Sequence, residues 1–127
     1  MNQDYTSIRT LGELRKSGWQ HLPVKDEMRK NLIGKLRRRE EVFPGIIGFE
    51  KTVVPQVQAA VLARHDFLLL GLRGQAKTRI IRQLVTLLDE YLPVLENSRL
   101  NESPFNPITR QSREMIESLG DQTPIEW

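Results

Sequence analysis

The chain has 127 residues, 39% of them hydrophobic and 28% charged, which is the balance of a soluble globular protein of one domain's length or less. No apolar run approaches the ~20 residues that span a bilayer, and residues 1–10 are polar, without the apolar core of a secretory signal. There is no cysteine, so disulfides, thiolate zinc sites and cysteine nucleophiles are excluded, and His21 and His65 stand far apart without clustered carboxylates. These features describe a cytoplasmic chain with no membrane segment. The formal charge of +3 falls wholly within residues 1–50. Its one basic run, Arg37-Arg38-Arg39, is neutralised at once by Glu40 and Glu41, which reads as a solvated helix end and not as a nucleic-acid site.

In chain order, Thr10-Leu11-Gly12-Glu13 fits a capping box, followed by Leu14 and a stop at Gly18. A second helix is expected after Pro23, with Val24, Met28, Leu32 and Leu36 four apart and Ile33 beside them as an apolar stripe. Asp26 and Glu27 near its start and the arginines near its end suit the helix dipole. Residues 1–41 thus read as a helical N-terminal arm. Composition then changes. Pro44, Gly45 and Gly48 punctuate residues 42–49 as a structured loop. A third helix is expected from about Thr52 to Arg64, with Val54, Val57, Val61 and Leu62 on its apolar side and Pro55 in its first turn.

Asp66-Phe67-Leu68-Leu69-Leu70 is short and apolar and precedes Gly71, the pattern of a buried strand in a parallel sheet. From Thr78 the period is helical again, with Ile80, Ile81, Leu84, Val85 and Leu88 on one side until Pro93. Residues 98–107 are a loop by composition, and Thr109 to Leu119 makes one more short helix closed by Gly120. An apolar end at Pro124-Ile125-Glu126-Trp127 reads as an interruption.

The chemistry lies in Gly71-Leu72-Arg73-Gly74-Gln75-Ala76-Lys77-Thr78. It matches the phosphate-loop pattern G-x-x-x-x-G-K-[ST] except that Ala76 replaces the second glycine. Successive backbone N–H groups of such a loop cradle phosphates, and the helix N-terminus beyond adds a favourable dipole. Lys77 is expected to reach the β- and γ-phosphate oxygens, and the Thr78 hydroxyl to coordinate Mg²⁺. Gly71 and Gly74 allow sharp turning and close approach, while Arg73 and Arg79 add positive charge at the mouth. A strand before and an apolar helix after are the context this motif requires. Leu84-Val85-Thr86-Leu87-Leu88-Asp89-Glu90 imitates the strand that delivers an acidic pair to Mg²⁺. On one continuous helix, however, Asp89 would stand about 16 Å from Thr78, too far to share a metal.

Residues 43–50, the following helix, Asp66–Gly71 and the phosphate loop together resemble the opening of an AAA+ ATPase core. They are most similar to the magnesium-chelatase I-subunit and MoxR-type branch, including a chelatase-like bacterial subgroup with Ala at the position of Ala76. The resemblance implies an α/β fold: an incomplete P-loop NTPase core over residues 42–127, cut before the second acidic motif, behind the arm of residues 1–41. It further implies that Ile46-Ile47-Gly48 lies beside the adenine ring, that ATP and Mg²⁺ are the ligands, and that the parent ATPase forms a homo-oligomeric ring. Such rings remodel a protein partner or drive metal insertion. The family's later motifs are not found after Thr78, so the expectation is an N-terminal piece that binds ATP without hydrolysing it. The alternative is a non-catalytic interaction module that keeps a degenerate phosphate loop as scaffold.

Overall fold

A computed structural model describes residues 4–49, 51–71 and 77–127. Among these residues the helices are α1 (Leu11–Lys16), α2 (Val24–Arg37), α3 (Val53–Leu62), α4 (Lys77–Leu84) and α5 (Arg110–Leu119). Two short strands, β1 (Val94–Leu95) and β2 (Ile125–Glu126), pair antiparallel with Val94 opposite Glu126 and Leu95 opposite Ile125. The chain divides into two compact units, residues 1–21 with 90–127, and residues 22–89. The boundary expected at 41/42 falls inside the second of these, because Leu32 on α2 and Val42 and Phe43 beyond it are buried in one core.

In the first unit, the capping box forms as the sequence indicates. The Glu13 N–H donates to the Thr10 hydroxyl and the Thr10 N–H to the Glu13 carboxylate, each at 3.3 Å. Leu11 and Leu14 are fully buried. Gly12 is required by close approach, since a Cβ built there would lie 2.7 Å from the Asp121 Cβ. The Arg9 carbonyl accepts from the Ile125 N–H and the Leu11 N–H donates to the Thr123 carbonyl, both at 2.9 Å. The C-terminal residues are thereby woven against the start of α1. α5 starts at Thr109, whose hydroxyl accepts from the Ser112 N–H at 3.2 Å, and ends at Gly120 with φ +54°. Trp19 stacks on Phe105 with ring centroids 5.7 Å apart and meets Trp127 edge-on at 6.4 Å.

In the second unit, α2 starts directly after Pro23, and α3 buries Val57 and Val61. They pack with Leu32, Val42, Phe43, Ile46, Ile80 and Leu87 into one apolar core. Three expectations are corrected here. On α2, only Leu32 of the apolar stripe is fully buried; Val24 and Leu36 are exposed, while Glu27 is buried. α4 ends at Leu84 and passes into a 3-10 turn, Val85–Leu87, instead of running on towards Pro93. The Thr86 hydroxyl donates to the Gln83 carbonyl at 2.7 Å, a side-chain bond of the kind that competes with the helical ladder. Leu88 then adopts extended φ and ψ, and Leu87 is delivered to the core.

The third correction concerns Asp66–Leu70. No ladder forms here: the backbone groups of these residues make no hydrogen bond to another described residue. Leu69 packs against the core, but Leu68 and Leu70 are 78% and 81% exposed. The expected parallel sheet is therefore not formed among the described residues. A strand is buried by its neighbours, and a five-residue apolar run encodes only its own half of that pairing.

Candidate nucleotide-binding site

Leu72, Arg73, Gly74, Gln75 and Ala76 lie outside the described residues, so the cradle itself is defined only by its two ends. Gly71 closes the exposed segment that follows α3, and Lys77 opens α4. The Lys77 ammonium donates to the Gly71 carbonyl at 2.6 Å, which draws the beginning and the end of the motif together. Thr78 is exposed in the first turn of α4, where the N–H groups of a helix start are not used within the helix. Ile80, two residues on, is fully buried and anchors α4 in the core. The buried Ile80 thus fixes the helix, whose first turn carries Lys77 and Thr78.

Arg79, exposed in the first turn of α4, also has a partner within the protein. Its Nη1 donates to the Gly45 carbonyl at 3.1 Å, and one turn later the Gln83 Nε2 donates to the Pro44 carbonyl at 2.6 Å. Residues four apart share one face of a helix, so Arg79 and Gln83 grip two consecutive carbonyls of one loop. That loop leads into Ile46-Ile47-Gly48. Ile46 is buried in the core, Ile47 is 84% exposed, and Gly48 has φ +90°, a conformation that favours glycine. The structure therefore brings the loop of residues 44–48 to α4, and Lys77 and Thr78 stand at the start of that same helix.

The ligands for a metal are few. Among the described residues no three His, Cys, Asp or Glu side chains gather as a coordination set. Asp89 is engaged elsewhere. The Asn31 Nδ2 donates to its Oδ1 at 3.0 Å and to the Leu87 carbonyl at 2.9 Å, while the Asp89 N–H donates to the Glu27 Oε1 at 3.2 Å. Burial raises the Glu27 carboxyl above its ordinary value, and the neighbouring Asp89 carboxyl adds to the rise against the smaller pull of Lys30.

Sequence reasoning missed a second polar centre, in the other unit. Glu102 is 3% exposed, and its two oxygens accept from the Ile108 and Thr109 N–H groups at 2.7 and 2.8 Å. They also accept from the hydroxyls of Ser112, Thr109 and Ser98 at 2.7, 3.0 and 3.0 Å. These donors, Ser112 foremost, hold its pKa down to about 2. The spacing Thr109-x-x-Ser112 at a helix start was the available signal. A cavity of about 480 Å³ opens beside this centre, and none of the candidate nucleotide residues lines it. Here the carboxylate spends its lone pairs on the protein's own loop and helix start, which is a structural role.

No helix among the described residues is long and apolar enough to cross a membrane. Set against protein-family models, curated proteins and solved structures, the chain finds no match.

Proposed function

We propose that the chain binds the phosphates of ATP, with Mg²⁺, through Gly71–Thr78 and the start of α4, and serves as the ATP-binding portion of a chelatase-like AAA+ ATPase. The supporting observation is the 2.6 Å bond from the Lys77 ammonium to the Gly71 carbonyl at the mouth of a core-anchored helix. It puts the motif's lysine, its hydroxyl residue and its first glycine around one helix N-terminus, the arrangement that anions favour. In the larger assembly the ATPase would form a ring and use ATP to remodel a protein partner or drive metal insertion. By itself the chain would bind without turnover, since the Asp89 carboxylate, in the acidic pair that follows α4, is engaged by Asn31.

Thermal melting with and without MgADP tests the reading. A bound ligand stabilises by RT ln(1 + [L]/Kd), about 2.7 kcal/mol at one hundred times Kd. Lys77→Ala should abolish the shift while leaving far-UV circular dichroism unchanged. A melting temperature indifferent to millimolar MgADP would exclude the assignment. A second reading, a docking module with a degenerate phosphate loop, is favoured by the exposed Leu68, Leu70, Ile81 and Val85. It predicts that neither nucleotide nor Lys77→Ala alters the melt.

A further inference from the structure

We infer that Arg79 and Gln83 are positioning residues for the base end of the nucleotide: they hold the loop of residues 44–48 against the helix that receives the phosphates. The inference rests on the nucleotide reading above and reassigns Arg79, whose charge the sequence alone would give to the phosphates. The geometry carries it. Arg79 and Gln83 lie one turn apart on α4 and donate to the adjacent carbonyls of Gly45 and Pro44. On the far side of those two residues the loop is pinned by Ile46, buried in the core, so that Ile47 is left outward with most of its surface available to an aromatic ring. A loop held at Pro44, Gly45 and Ile46 presents the next residue, Ile47, in one place, and preorganisation of this kind raises affinity by removing an ordering cost.

A second observation separates positioning from stability. The Gln83 amide makes its bond through Nε2 alone, and its Oε1 is buried without a hydrogen-bond partner. A buried unpaired acceptor is unfavourable, so Gln83→Met removes the grip on Pro44 and the orphaned oxygen together at similar volume. That variant should fold at least as well as the parent chain and still lose the positioning function.

The test is calorimetric titration of the full chain with MgADP and, as a probe lacking sugar and base, magnesium tripolyphosphate. Gln83→Met and Arg79→Met are expected to weaken MgADP by about three- to tenfold, the worth of one hydrogen bond, with tripolyphosphate affinity unchanged. Arg79→Lys, which keeps a donor, should recover most of the loss. Lys77→Ala should weaken both ligands. Unchanged MgADP affinity in the two methionine variants would overturn the inference, as would a parallel fall for tripolyphosphate, which would mean that Arg79 acts on phosphate directly. Wild-type chain that binds magnesium pyrophosphate, which matches the two phosphates of ADP, as tightly as MgADP has no base-end contribution to position, and this too would overturn it. Wild-type chain that binds neither ligand would remove the nucleotide reading itself.

Discussion

Among the described residues each of the two units buries one glutamate, and the two are shifted in opposite directions. Glu102, in the unit of residues 1–21 and 90–127, is 3% exposed and held down to about 2. Glu27, in the unit of residues 22–89, is 8% exposed and raised. Burial is nearly the same and by itself raises both carboxyls, as it does Glu27, so something else must decide whether that rise is overcome. The donors do. Glu102 receives two backbone N–H groups and three hydroxyls, which suit only the ionised form. Glu27 receives one N–H, from Asp89, and faces that residue's carboxyl, which penalises a second negative charge. The first unit has built a carboxylate into its frame; the second tolerates one.

The largest effect should come from removing the built-in carboxylate. Glu102→Ala leaves two backbone N–H groups and three hydroxyls of a buried turn without their acceptor, and the melting temperature should fall by about 10 °C or more. Amide exchange should speed up in α5 and the residues before it, with α2 and α3 unaffected. Uniform loss of protection over both units would break the comparison.

The pH dependences should next run in opposite senses. Glu102's folded pKa is depressed, so its contribution is complete above the ordinary value of 4.5 and is lost as pH falls through about 2. Glu27's folded pKa is raised, so its contribution is complete below 4.5 and is lost as pH rises through the folded value. Residue-resolved exchange between pH 3 and 7, scales chosen around those values, should therefore show relative loosening of α2 at the upper end. Equal slopes in both units would contradict the assignment.

Two smaller substitutions sharpen the same contrast. Glu27→Gln removes the ionisation while keeping an acceptor for the Asp89 N–H and adding a donor for its carboxylate. At neutral pH it should stabilise by about 0.5–1.5 kcal/mol, measured by denaturant unfolding, and the gain should vanish in acid. Destabilisation at neutral pH would show that the charge is needed. Ser98→Ala takes one of five donors from Glu102 and should lower the melting temperature by only about 3 °C. A loss as large as that of Glu102→Ala would mean that the serine, and not the carboxylate, organises the turn.

Features with a local cause were legible in the sequence. Thr10 and Glu13 announce α1, Pro23 the start of α2, Thr109 and Gly120 the bounds of α5, and each signal is a side chain satisfying or forbidding a nearby backbone group. Features that depend on a distant partner were not. β1 and β2 have two residues each, too few for any periodicity, and exist because residues 125–126 return to 94–95. Asp66–Leu70 has the composition of an inner strand, yet its exposure is decided by what lies alongside it. At the candidate site the pattern alone names Gly71, Lys77 and Thr78, and the structure adds the bond between the first two. The engagement of Arg79 with Gly45 could not, because a long cationic side chain suits phosphate and carbonyl oxygen alike.

The aromatic grouping around Trp19 has an optical consequence. The chain's two tryptophans, Trp19 and Trp127, and its two tyrosines, Tyr5 and Tyr91, all belong to the unit of residues 1–21 and 90–127. Residues 22–89 hold only phenylalanine as an aromatic chromophore, and they hold every candidate nucleotide residue. Tryptophan emission therefore originates in residues 1–21 and 90–127 alone, and the unit that holds the candidate site supplies none of it.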